Sequence, residues 1–587
     1  MPTLHWIGKD KVVNHHTEVP FRVLEHKYGY RGDNPSDTSE THSGNKIIHG
    51  DNLEALKALL PEYEGKIDCV YIDPPYNTGN EGWVYNDNVN DPHIRKWLGE
   101  VVGAEGEDLS RHDKWLCMMY PRLRLLHKLL SAKGVIFISI DDNEQANLKI
   151  VCDEIFGLTS FVADIAWQRT YSMRNDSLGI PAEKEHILVY SKDKCWQPNK
   201  LSRTAEMDAK YKNPDDDPNG AWQNTSAFAP SGITHQGMIY AIQHPFTGKM
   251  LYPTKNACWR YAQSDMLAIM NGWCGYELKN LHDEKRRASV CDIGEEEIRK
   301  DVLAIVLSES LEISKEKATK VLQRGQWPRF YFTQNGKGGI RRKTYLSNVG
   351  GKPATNLWGF FEVGHTDEAK KELMAIFDGK SPFDTPKPTR LLERILSIAT
   401  QKDSIILDSF SGSGTTAHAV MKKNKEDGGN RKFILVELMD YAETITAERV
   451  RKVITGYGDG KKTKDGLGGA FDFYELGEPL FLTDGNLNEN IGVEKIREYI
   501  YYTETHEHLS RNQEAEHPYL LDYLDGTGYF FYYKPNEITT LSHDTLNIVP
   551  QKAEHYVIYA DVCTISKEQL AQMNITFKKI PRDINRF

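Results

Sequence analysis

The chain has no run of eighteen apolar residues, so the sequence offers no transmembrane helix. Residues 1–15 carry no apolar core behind a basic start, and no secretory leader is expected. Cysteine is sparse: the eight residues at 69, 117, 152, 195, 258, 274, 291 and 563 form no C-x-x-C pair. Such spacing suits neither a disulfide framework nor a zinc site, so reduced cytoplasmic thiols and no metal centre are expected. An excess of positive charge is missing too. Seventy-three basic residues face eighty-three acidic ones, for a net charge of -10. That balance argues against a chain coated in nucleic acid, yet leaves room for a local basic surface. No internal repeat is present. What remains is a chain of 587 residues, 39% hydrophobic and 27% charged, a globular composition with length for roughly three or four domains.

The charge is unevenly spread. Residues 321–352 hold seven basic side chains and no acidic one, whereas residues 471–540 hold fourteen acidic and four basic. The first stretch suits a polyanion and the second avoids one. Strand and helix patterns also change along the chain. Residues 1–45 are polar and read as an irregular arm. From 46 to 194, apolar strands (46–49, 67–73, 134–141, 186–190) alternate with helical stretches (51–60, 114–130, 143–156), with a long polar loop at 77–112 and one helix within it near 94–102. That alternation predicts an α/β fold, a parallel sheet with helices on both faces. Residues 195–355 break it, with a single helical stretch at 295–323 whose Ile298, Val302, Ile305, Val306 and Leu311 face that segment's own core. The pattern resumes over 356–455, through a helix at 389–399, strands at 404–407 and 433–438, and a helix at 415–423. We read 195–355 as an insertion between two halves of one domain, 456–470 as a glycine-rich linker, and 471–587 as a C-terminal module.

Two motifs carry chemistry. Asp73-Pro74-Pro75-Tyr76 ends a hydrophobic strand, the edge where open α/β sheets bind ligands. A Pro-Pro pair also simply stops strands. The chemical alternative is sharper. The lone pair of an exocyclic base amine is delocalised into the ring, and two acceptors on its hydrogens favour the pyramidal nitrogen that attacks a methyl group. Asp73 supplies one acceptor and the Pro74 carbonyl the other, while the prolines hold that carbonyl and offer no competing N–H. Tyr76 offers a ring on which an extruded base can stack.

The second motif, Asp408-Ser409-Phe410-Ser411-Gly412-Ser413-Gly414-Thr415-Thr416, lies between a strand and a helix. Its glycines let backbone approach a ligand beside free helix N–H groups. A dinucleotide or a purely structural turn fits as well, but no lysine follows the second glycine, which disfavours a phosphate loop. Glu437 ends the next strand, where an acid can accept from a ribose diol. Turn and acid together indicate an adenosine-containing cofactor. An amine-activating tetrapeptide beside such a site points to methyl transfer from S-adenosylmethionine.

With these motifs in this order, the chain resembles the β-class amino-methyltransferases, and within them the Mod subunits of type III restriction–modification systems. In that class the D-P-P-Y motif precedes the target-recognition region and the F-x-G-x-G motif follows it, as Phe410-Ser411-Gly412-Ser413-Gly414 does here. The segment from His49 through Asp51 and Asn52 to Leu56 resembles the family's stretch near the cofactor adenine. The segment Thr385-Pro386-Lys387-Pro388 resembles another cofactor neighbour. Residues 77–79, 114–121, 186–191 and 356–358 match similarly, and Ser409 departs from the proline often found there. The resemblance implies a permuted, Rossmann-like, seven-strand methyltransferase domain with an inserted target-recognition domain. It further implies double-stranded DNA as substrate, a homodimer and a Res-type helicase–nuclease partner.

Within that frame Arg324, Arg329, Lys337, Arg341, Arg342 and Lys343 are candidate DNA contacts, since bases meet phosphates and arginine reads guanine edges. The pairs His506/His508 and His15/His16 read as solvated loops rather than metal ligands. Asp73 favours adenine-N6 over cytosine-N4 as the target. A solitary methyltransferase and a non-catalytic recognition subunit are the remaining alternatives.

Overall fold

The computed structural model describes residues 3–78, 109–172, 179–458, 463–509 and 517–585. The chain divides into two compact units, Met1–Asn199 with Pro353–Phe587, and Lys200–Lys352.

The first unit is built on a ten-stranded sheet. Its strands are β1 (Arg22–Arg31), β2 (Lys46–His49), β3 (Ile67–Ile72), β4 (Leu130–Ile140), β5 (Phe161–Gln168), β6 (Lys184–Ser191), β7 (Leu357–Trp358), β8 (Ile405–Asp408), β9 (Lys432–Glu437) and β10 (Ala470–Pro479). In space they run β1-β10-β2-β9-β8-β3-β4-β6-β5-β7. β3 buries Ile67, Cys69, Val70, Tyr71 and Ile72, and its run from Cys69 to Ile72 is that of a strand covered on both faces. Helices α1 (Asn52–Tyr63), α2 (Leu109–Leu129), α3 (Gln145–Phe156), α4 (Thr389–Ala399) and α5 (Thr415–Asp427) accompany it. In α4, Leu391, Leu392, Ile395, Leu396 and Ile398 are buried, one stripe at helical spacing.

The sheet corrects several expectations. It is mixed rather than parallel, because β6 pairs antiparallel with both β4 and β5. The first 45 residues are not an irregular arm: two short helices, Lys9–Val12 and His15–Glu18, lead into β1, which pairs antiparallel with β10. A strand whose partner is so remote in sequence leaves little local signal. His15 and His16, read as solvated, are each 4% exposed. Residues 456–470 do not release a detached module. Gly456–Tyr457 pairs with Lys464–Asp465, and the chain then enters β10 between β1 and β2. The boundary expected at 471 therefore falls inside a sheet strand. Beyond it come α6 (Val493–Thr505) and a four-stranded sheet of Leu520–Leu524, Thr527–Phe531, His555–Ala560 and Ile575–Lys579. The helix expected near 94–102 lies outside the described residues.

The second unit, Lys200–Lys352, packs short strands round an aromatic core that includes Trp222, Trp259, Trp273, Phe330 and Phe332. The helix expected over 295–323 is a strand, Ala304–Leu307, followed by a helix, Leu311–Arg324. A continuous apolar run such as Ala304-Ile305-Val306-Leu307 suits either element by periodicity. Ile298, Val302, Ile305 and Val306 are buried in this unit's core, with Leu311 at its margin.

Among the described residues, no helix is long and apolar enough to cross a membrane.

Candidate active site

β3 and β8 are parallel neighbours, with Ile406 opposite Cys69 and Leu407 opposite Val70. The residues that follow them, Asp73 and the Asp408–Thr416 turn, thus emerge side by side at one edge of the sheet. β8 turns towards β9 and β3 towards β4, so this is a point where chain connections diverge, and a crevice opens there. It is a cavity of about 690 Å³ lined by both motifs.

On the β3 side, Lys387 donates to both Asp73 oxygens at 2.7 and 2.6 Å. The Tyr76 hydroxyl donates to Asp73 Oδ1 and lies equally close, 2.9 Å, to Glu185 Oε2. Arg169 donates to the other Glu185 oxygen at 2.7 Å. Burial pushes the Asp73 carboxyl up, against the pull of Lys387. Burial works against the Lys387 ammonium, but Asp73 and Glu185 outweigh it and hold it above the ordinary lysine range. Trp115 Nε1 donates to the Pro75 carbonyl at 2.7 Å, while no donor meets the Pro74 carbonyl among the described residues. Past the motif, the buried Glu144 anchors Asn77, which has φ +61°, and His112.

On the β8 side, Gly412 and Gly414 have φ +50° and +76°, the left-handed region glycine adopts at no steric cost. A Cβ on Gly412 would lie 3.0 Å from the Phe383 ring; one on Gly414 would lie 3.1 Å from the Thr446 carbonyl. Glu437 accepts from the Gly412 and Met439 N–H groups. Burial pushes its carboxyl up to about 7 despite those donors. Burial likewise raises Asp408 to about 7, against the donors Thr416 and Phe410 N–H. Beneath the turn the buried Arg449 donates to Ser413 Oγ and Thr415 Oγ1 at 3.0 and 2.7 Å.

Asp73, Pro74, Pro75, Tyr76, Lys387, Asp408, Phe410, Ser411, Gly412, Ser413, Thr415, Thr416 and Glu437 all line the cavity. Asp51, Asn52 and Gly414 do not. Asp51 caps α1 and pairs with Arg122, and Asn52 donates to the Ser409 carbonyl. Gly414 turns the chain into α5 against Thr446. These three shape the walls from behind. Among the described residues no cluster of His, Cys, Asp and Glu could hold a metal ion.

A family model described as DNA methylase matches residues 67–271 and 294–505. The chain belongs to this DNA methylase family. The Mod subunit of the type III restriction–modification enzyme StyLTI of Salmonella typhimurium is 35% identical over 406 residues, 67% of this chain and 52% of that one. The chain thus spans about half that relative's length. The type II methyltransferase M.KpnI of Klebsiella pneumoniae is 30% identical over 405 residues, 67% of this chain and 81% of that one. The solved complex of M1.HpyAVI with S-adenosylmethionine covers 69% of this chain and 98% of that one at 14% identity and TM-score 0.28, too distant to carry an inference.

Sequence reasoning missed several residues of this methylase cavity: Glu185, Arg169, Asp141, Phe383 and Tyr441. Glu185 starts β6, and in a parallel sheet it would lie at the far edge; only the antiparallel course of β6 brings it to Asp73. In the second unit, one candidate DNA contact is overturned. Lys343 is fully buried, bonded to Asp215 and Asp217 at 2.5 Å each and to the Trp327 carbonyl at 2.7 Å. Arg341, Arg342 and Lys343 belong to one strand, Ile340–Tyr345, whose side chains alternate between faces, so three consecutive bases cannot share a surface. Arg324, Lys337 and Arg341 are exposed, and Arg329 and Arg342 half-buried. Burial lowers Arg342, with Arg260 and Arg329 adding to the effect. Arg260, outside the basic run in sequence, completes that cluster.

Proposed function

We propose that this methylase is a site-specific DNA adenine-N6 methyltransferase using S-adenosylmethionine, and the modification and recognition subunit of a type III-like restriction–modification system. The observation that carries the reading is the meeting of Asp73 and the Gly412 turn in one cavity, from either side of the inserted segment in sequence. The cavity suits an adenosine-containing cofactor. Ser411 Oγ is buried without a partner among the described residues. The backbone at Gly412 leaves room that a side chain would fill, and Glu437 keeps lone pairs for a ribose diol. Phe383 and Tyr441 stand edge-on, ring centres 5.7 Å apart, at the same end. When bound, the cofactor supplies an electrophilic methyl group. The chain's own residues do the rest: Asp73 and the Pro74 carbonyl accept the amine hydrogens, Tyr76 stacks the extruded base, and catalysis is positioning plus charge complementarity. No covalent enzyme intermediate is needed.

Asp73 favours adenine over cytosine-N4. The direct test is incubation of mixed-sequence duplex DNA with labelled cofactor, followed by nucleoside analysis. Labelled N6-methyladenine is the expected product, and N4-methylcytosine or no label would overturn the assignment. A solitary methyltransferase is the second reading, favoured by the 81% coverage of M.KpnI.

We assign DNA recognition to Lys200–Lys352, and protein contact (a second copy, or a helicase–nuclease partner) to the acidic C-terminal region. A chain ended at residue 483 keeps β10 and should lose assembly while keeping cofactor binding. Unchanged oligomeric state and partner capture by this truncation would refute the C-terminal assignment.

A further inference from the structure

We propose that Lys387 masks the Asp73 carboxylate until the target amine arrives, and that Glu185 is the positioning residue that receives the displaced ammonium. This rests on reading Asp73 as the amine acceptor. The ammonium engages both Asp73 oxygens, at 2.7 and 2.6 Å. The ammonium and the Tyr76 hydroxyl already take three of the carboxylate's roughly four acceptor sites, so an exocyclic amine arriving at Asp73 competes with the ammonium. The ammonium therefore moves for the amine to bind. A buried charge cannot simply be abandoned, because an unpaired one in a dry site is costly.

Among the described residues, the structure supplies one nearby destination. Glu185 Oε2 is 3.7 Å from Lys387 Nζ, and its side chain is 5% exposed against 24% for Asp73. Glu185 is held in place by Arg169 on one oxygen and by the Tyr76 hydroxyl on the other. Lys387 Nζ also lies 5.0 Å from the Tyr76 ring centre and 6.0 Å from that of Trp167. A short swing thus keeps the cation between a carboxylate and two ring faces throughout. Tyr76 touches both carboxylates, so the ring on which the base stacks is fixed by the same pair that trades the lysine.

The test compares affinity, in the absence of cofactor, for two duplexes carrying the protein's own methylated sequence. They differ only at the target, adenine in one and purine, which lacks the amine, in the other. Each target faces an abasic site so that extrusion costs the same. Wild-type protein should prefer adenine by about tenfold, the lower end of the worth of one hydrogen bond to a charged group. Glu185→Gln should abolish that preference, since the ammonium then has no second carboxylate. The double variant Glu185→Gln/Lys387→Met should restore it, which a merely structural role for Glu185 would not do. Lys387→Met alone should raise the preference above wild type, a reading that survives if Glu185→Gln fails to fold. Retained preference in Glu185→Gln, no recovery in the double variant, or no rise in Lys387→Met overturns the proposal. A wild type without preference that still transfers methyl groups overturns it alone; one that transfers none overturns the methyltransferase reading beneath it as well.

Discussion

Lys343 and Lys387 each sit between two carboxylates, and they are not alike. Lys343, in the core of Lys200–Lys352, is fully buried, its ammonium bonded to Asp215, Asp217 and a carbonyl. All three of its N–H donors are satisfied. Lys387 gives two bonds to Asp73, stands off from Glu185 at 3.7 Å and faces an open cavity. The carboxylates answer differently too. Burial acts to raise Asp217, but Lys343, Asn219 and Tyr345 overcome it and hold its carboxyl at about 2. At Asp73 burial prevails, and the carboxyl is raised. A saturated ion cluster fixes a fold, whereas an unsaturated one beside a cavity keeps an acceptor available for exchange.

The largest expected effect falls on the saturated cluster. Lys343→Met leaves two carboxylates buried without their cation and should cost about 3–5 kcal/mol, read by chemical denaturation of the full chain. Lys387→Met should cost far less; equal losses would erase the distinction. Next, Asp73→Ala should reduce methyl transfer by at least about 100-fold while leaving the unfolding temperature and cofactor affinity nearly unchanged. Retention of more than about a tenth of wild-type turnover would remove Asp73 from its role.

A third prediction concerns pH. Asp408 and Glu437 are both raised to about 7, so between roughly pH 4 and 7 the folded chain binds protons that the unfolded chain has released. Their contribution to stability therefore falls as pH rises through that window. Asp217 behaves oppositely: its contribution is present above about pH 4 and is lost as pH falls towards 2. Cofactor binding to an ionised Glu437 should weaken by about tenfold per unit below pH 7, and titration calorimetry of Glu437→Gln should show a flatter profile. An unaltered profile in that variant would exclude Glu437 as the acceptor.

The smallest effect is expected on the exposed face. Replacing Arg324, Lys337 and Arg341 with alanine should lower the slope of log affinity for DNA against log salt by about 0.9 for each phosphate these side chains neutralise. Leaving Lys343 intact keeps the core cluster out of that measurement.

Whatever is local in this site is legible in the sequence. Asp73-Pro74-Pro75-Tyr76 and the Gly412 turn are short, strand-terminal and chemically restrictive, so their residue types betray them. The α/β alternation and α4 are legible for the same reason, through period and turn residues. Glu185 is not, because its place depends on the direction of β6, and Arg169 is not, because it follows β5, a strand the sequence pattern did not offer. Arg449 is not, because the turn it supports is remote in sequence. Lys343 misleads because a basic run reads as one surface, although Asp215 and Asp217, more than a hundred residues earlier in the chain, hold its ammonium in the core. The resemblance to Mod subunits pointed to Lys387 as a cofactor neighbour, and the structure shows its grip on Asp73.

The interleaving of the sheet has a consequence for how the chain is made. β8 lies between β9 and β3, and β10 between β1 and β2, so early strands await partners synthesised hundreds of residues later. Such long loops must close before their contacts return any stabilisation, which makes the step slow and leaves strand edges open meanwhile. Lys200–Lys352 is continuous in sequence and can collapse as soon as it leaves the ribosome. The acceptor half of the cavity exists as chain long before the turn that completes it, and no truncated product ending before β8 can assemble the cavity.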